Sequence, residues 1–79
     1  MSEYGVILFH TSSAAFRAEK VLTEAGLAFK LIPIPREFSS DCGVALRFEW
    51  NRLNDITDVL EAEAVETESV HEMPELVES

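Results

Sequence analysis

Apolar and polar positions change rhythm along this chain, and each rhythm predicts an element. Tyr4 to His10, YGVILFH, is a continuous apolar run with β-branched residues, as in a central strand covered on at least one face. Thr11, Ser12 and Ser13 follow, hydroxyl residues of the kind that cap a helix by accepting from its unpaired N–H groups. The segment SAAFRAEKVLTEAG has helical spacing. Ala14, Ala18, Val21 and Ala25 form one stripe flanked by Ala15 and Leu22, with Arg17, Lys20 and Glu24 elsewhere. Gly26 suits the position just past the helix, where a left-handed backbone is wanted.

Ala28 to Ile34, AFKLIPI, predicts a second strand, and Pro33 sends it to a sheet edge because proline has no N–H to donate. Val44 to Trp50 alternates: Val44, Leu46, Phe48 and Trp50 face one way, Ala45, Arg47 and Glu49 the other, so one face is expected buried and the other wet. A second helix, capped by Asn51 or Asn54, runs to about Ala64, with Leu53, Ile56, Val59 and Leu60 inward. Asp55 and Asp58 suit its positive end. The weaker pattern VETESVHEMPELVES admits a short strand at Ser69 to Met73 before a frayed end.

Strand, helix, strand, strand, helix, strand is the α+β order βαββαβ of the ferredoxin-like split βαβ motif, with the fourth strand least defined. The right-handed crossover makes strands one and two parallel, and strand three lies between them, antiparallel to both. Residues 1–66 then form one domain, with 67–79 an acidic C-terminal segment.

This topology draws His10, Thr11, Ser12 and Ser13 toward the loop PREFSSDCG, residues 35–43, which holds the chain's one cysteine. A thiol in a polar loop beside a helix N-terminus has the setting of a reactive cysteine rather than a packed one. Arg36 and His10 are cations that favour the Cys42 thiolate, while Asp41 opposes it. Gly43 either gives a second sulfur access or makes a plain turn. Arg36 either pairs with Glu37 or clamps an anion, and His10 is either a locally bonded strand end or a base. His71 has no evident partner. One Cys and two His without C-x-x-C or H-x-x-x-H spacing predict no metal site. No phosphate loop or Ser-His-Asp constellation is present, so no cofactor is expected.

Charge adds an asymmetry. Residues 1–52 hold six Lys or Arg and six acidic groups, whereas residues 53–79 hold nine acidic groups and no Lys or Arg, the source of the net charge of −9. The acidic end repels phosphate backbones, which disfavours nucleic acid, and serves either to solubilise or to dock a basic partner. The start carries Glu3 and no basic head, unlike a signal peptide, and its apolar run is too short to span a bilayer. A single cysteine excludes an internal disulfide and suits the reducing cytoplasm.

ILFHTSSAAFRAEKVL and LIPIPREFSSDCGVALRF, within residues 4–50, together resemble the selenium/sulfur carrier-like family of small bacterial domains. Pro35, Arg36, Ser39, Ser40, Cys42 and Gly43, occurring together in order, are the specific part of the match. The resemblance implies a cysteine that holds sulfur or selenium as a persulfide or selenopersulfide. Cys42 is then the attachment point and Ser39, Ser40 and Gly43 shape its loop. The partners so implied are a donor such as a cysteine desulfurase and an acceptor protein, which makes the chain a carrier rather than a turnover enzyme. Two other readings of the residues stay open. One is a non-catalytic interaction or ligand-sensing module, pairing through sheet edges or as a dimer, with Cys42 incidental. The other is a redox sensor acting through a Cys42 disulfide between chains.

Overall fold

A computed structural model describes residues 3–34, 38 and 43–73. The elements are β1 (Tyr4–Leu8), α1 (Ser12–Glu24), β2 (Lys30–Pro33), β3 (Val44–Glu49), a 3-10 turn (Trp50–Arg52), α2 (Leu53–Ala62) and β4 (Ser69–Met73). The sheet order is β2-β3-β1-β4, and every neighbouring pair is antiparallel. This is the ferredoxin-like α+β arrangement expected, with β2 at one edge and β4 paired with β1 at the other.

Pairing fixes which residues share a face, because directly opposed residues project to the same side. Ile7 opposes Leu46, and both join Phe9, Phe48, Ala15, Ala18, Leu22, Ile56, Leu60 and Val65 in the core between sheet and helices. The inward stripe of α1 is centred on Ala15, Ala18 and Leu22. Ala25, expected in that stripe, is exposed because it has become the cap residue where the helix stops.

The second face departs from expectation. Ala45 is fully buried rather than wet, and packs with Val6, Leu8 and Met73 in a second apolar cluster joined by Ile32, Ile34 and Phe38. Arg47, expected in water, is half-buried with its guanidinium carbon 4.6 Å from the centre of the Tyr4 ring. Of the expected wet residues on β3, Glu49 alone is exposed. The reason lies in β1: its run Val6-Ile7-Leu8 is apolar on both sides, so the helix-free side also had to be covered.

Glycine at position 5 lets two rings close over β1. A Cβ there would come within 2.5 Å of Trp50 Cε3 and 2.7 Å of Phe48 Cζ. Those rings stack on each other with centroids 5.9 Å apart.

Helix boundaries follow local chemistry. Thr11 caps α1, its Oγ1 accepting from the Ala14 N–H at 3.1 Å. The start of α2 corrects the expected Asn51 or Asn54 cap: the 3-10 turn leads directly into the helix, Arg52 holds the cap position, and no side chain bonds there. Both helices close with the same pair of crossed bonds, Gly26 N–H to Thr23 O and Leu27 N–H to Leu22 O in α1, Ala64 N–H to Glu61 O and Val65 N–H to Leu60 O in α2. Each needs a left-handed residue. Gly26 supplies φ +76 at the first, and Ala64 adopts φ 56 at the second. Arg17 joins the helices by donating from Nη2 to the Glu63 carbonyl at 2.8 Å, a cation at the negative end of α2. No helix among the described residues is long and apolar enough to cross a membrane.

Candidate functional site

One end of the sheet gathers the C-termini of β1 and β2, the start of β3 and the N-terminus of α1. Leu8 opposes Ala45 and Pro33 opposes Val44, so Gly43 enters the sheet where β1 leaves it. β1 ends at Leu8, two residues short of the predicted His10, because its ladder with β3 stops there and the Leu8 carbonyl accepts from the Glu68 N–H at 2.7 Å. His10 therefore lies on the turn into α1 and is exposed, as are Thr11, Ser12 and Ser13. The Thr11 hydroxyl is spent on the cap, while Ser12 and Ser13 form the first turn of the helix.

Cys42, Arg36, Ser39, Ser40 and Asp41 lie outside the described residues. So does the frayed end expected beyond Met73. Gly43, the residue following the thiol, is exposed, has φ +85, and among the described residues has no heavy atom, its chain neighbours aside, within 4 Å of where a Cβ would stand. A positive φ favours glycine there.

The connection from β2 to β3 contains one described interior residue, and its placement was not foreseen. Where the topology argument aims this loop at the N-terminus of α1, Phe38 packs on the helix-free face of the sheet. Its ring stacks on His71 of β4 with centroids 4.3 Å apart and planes inclined by 24°. β2 and β4 are opposite edges, three strand spacings or about 14 Å apart. The Phe38–His71 contact thus joins the connection that follows β2 to the opposite edge strand.

His71, without a partner in the sequence reading, has two. Its Nε2 lies 2.9 Å from Ser69 Oγ, and Phe38 covers one face of its ring. Ser69 and His71 oppose Leu8 and Val6 across the sheet, so the pair borders the second apolar cluster. The available signal was the two-residue spacing of Ser69, His71 and Met73 on a strand facing Val6 and Leu8. Alternation alone could not say which side of β4 would be covered.

Other concavities offer less. An open groove of about 380 Å³ lined by Glu3, Tyr4, Glu49 and Asn51 lies at the far end of the sheet from Gly43 and brings two carboxylates together without a nucleophile or histidine. Among the described residues no cluster of His, Cys, Asp or Glu is arranged to hold a metal ion.

Fold and sequence together define a small ferredoxin-like α+β protein bearing one thiol on the connection between two neighbouring strands. The family model described as "Putative Se/S carrier protein-like" matches residues 4–72, and the chain belongs to that family. The match extends through the second helix and into β4, beyond the residues 4–50 that carry the sequence resemblance. No curated protein and no solved structure matches the chain.

Proposed function

We propose that this protein carries sulfur or selenium on Cys42 between a donor and an acceptor protein. The observation that supports this most is the family match over residues 4–72, which takes in Cys42 and Gly43. The Cys42 thiolate attacks the outer sulfur of a persulfide on the donor, for which a cysteine desulfurase is the natural chemical class. A new S–S bond forms on Cys42 as the donor's S–S bond breaks, and the electron pair leaves with the donor's thiolate. Release repeats the exchange: an acceptor thiolate takes the outer atom and Cys42 departs as thiolate. Neither step consumes an oxidant or reductant, and both depend on thiolate fraction and access. Selenium takes the place of the outer sulfur in the selenopersulfide form.

The residues assigned to the site have matching roles in this reading. Arg36 supplies positive charge for a thiolate or persulfide anion, and His10, on the turn into α1, is a candidate hydrogen-bond partner or base for it. Ser39, Ser40 and Asp41 shape the loop, and Thr11, Ser12 and Ser13 present the start of α1 to it. Gly43, which brings no Cβ and takes a positive φ, suits a loop that leaves room for a second chalcogen atom. A reducing compartment such as the cytoplasm suits this chemistry, since it keeps the unloaded thiol free.

The test is intact mass after incubation with a cysteine desulfurase and cysteine. A gain of one sulfur is expected, reversed by a thiol reductant and absent in Cys42→Ala. An unchanged mass in the wild-type protein refutes the carrier role.

A further inference from the structure

We infer that a notch in the sheet, at the end away from Gly43, binds a small organic carboxylate through Lys30 and Arg47. The inference is independent of the carrier reading, because it involves neither the thiol nor its loop.

The notch follows from unequal strand lengths. The pairing of β2 with β3 begins at Lys30 and Arg47, whereas β3 runs on through Phe48 and Glu49 against Gly5 and Tyr4 of β1. Ala28 and Phe29 come before β2, so the last two residues of β3 have a strand neighbour on the β1 side only. A pocket of about 160 Å³ opens in this gap, and its walls include Tyr4, Phe29, Lys30, Arg47 and Phe48.

The charges at this pocket suit an anion. Lys30 and Arg47 stand directly opposite one another, so both project to the helix-free face, and like charges so placed repel. A shared carboxylate turns that repulsion into attraction. Among the described residues neither cation lies within ion-pair distance of a carboxylate; the ion pair there joins Arg52 to Asp55. Arg47 is half-buried, and its guanidinium carbon, 4.6 Å from the centre of the Tyr4 ring, is held in place by that contact. The guanidinium fork can donate two parallel hydrogen bonds to a carboxylate, and the flexible stem of the exposed Lys30 lets its ammonium reach the same group. Glu49 also lines the pocket and opposes an anion, but it is exposed and its charge is screened. Phe29 and Phe48 supply apolar wall, so a carboxylate on an apolar body fits better than a bare inorganic ion.

Benzoate is the probe, titrated into the full chain at constant ionic strength and followed by the backbone amide resonances. Saturable shifts centred on residues 28–30 and 47–49 are expected, with a dissociation constant of about 10 mM or below, the scale for a ligand of that size. Lys30→Gln alters an exposed side chain, leaves the core intact, and should weaken binding about threefold or more. Arg47→Lys keeps the charge but loses the fork and should also weaken it, while Glu49→Gln should tighten it. Benzamide, which has the ring without the charge, should not bind, and inorganic phosphate should bind more weakly than benzoate. Shifts that do not saturate or are scattered over the surface, wild-type affinity in Lys30→Gln, or equal binding of benzamide would overturn the inference. Tighter binding of phosphate than of benzoate would overturn the assignment to an organic carboxylate.

Discussion

Replacing Ala64 by glycine should make the protein more stable, although it removes a methyl group and places a flexible residue beside a helix. Ala64 is exposed and sits at φ 56, with its N–H donating to Glu61 O. A left-handed backbone costs an L-residue about 1–2 kcal/mol because Cβ crowds the following carbonyl. Glycine removes that strain but adds about 0.4–1 kcal/mol of chain entropy to the unfolded state. With no buried surface lost, the net gain is about 0.5–1 kcal/mol, or about 2–8 °C in Tm for a domain of this size. Gly26→Ala is the mirror experiment. Its φ is +76 and a new Cβ would meet nothing within 4 Å among the described residues, so backbone strain dominates and stability should fall by a similar amount. Thermal melts of the two variants should move in opposite directions. A lower Tm for Ala64→Gly, or a higher one for Gly26→Ala, would show that the crossed-bond helix ends do not govern these positions.

Two further substitutions probe the described framework. Gly5→Ala drives a methyl into the rings of Trp50 and Phe48 and should destabilise by about 1–3 kcal/mol in urea unfolding, the usual cost of overpacking; an unchanged midpoint would mean the rings move aside freely. Thr11→Ala removes the acceptor for the Ala14 N–H and should cost about 1 kcal/mol by the same assay, with Thr11→Asn recovering most of it; equal stability of the Ala and Asn variants would refute the capping role.

The order of elements, the edge position of β2 and the pairing of β3 with β1 were legible because each rested on a strong local signal: Pro33, the crossover rule and the clean alternation from Val44 to Trp50. The start of α2 was harder to read. Two asparagines looked like caps, yet the chain turns through a 3-10 segment that makes a side-chain cap unnecessary. The helix-free face was misjudged for a related reason. The alternation in β3 marks Ala45, Arg47 and Glu49 as outward but does not reveal what folds over them, and small Ala45 is buried by residues from other segments. The partnership of Phe38 with His71 joins residues far apart in sequence, and no local spacing encodes it. Cys42 was conspicuous as the one thiol in a polar loop.

The position of β4 bears on how the chain is made. β1 is the first strand to leave the ribosome, but its two neighbours, β3 and β4, are the third and fourth. Until the last strand emerges, Val6, Ile7 and Leu8 lie along an unfinished edge. Exposed apolar edges of that kind recruit other chains during synthesis. The residue that completes the edge opposite Val6 is His71, the same residue that receives Phe38. A nascent or truncated chain would therefore have its cysteine early and the strand that closes the sheet last.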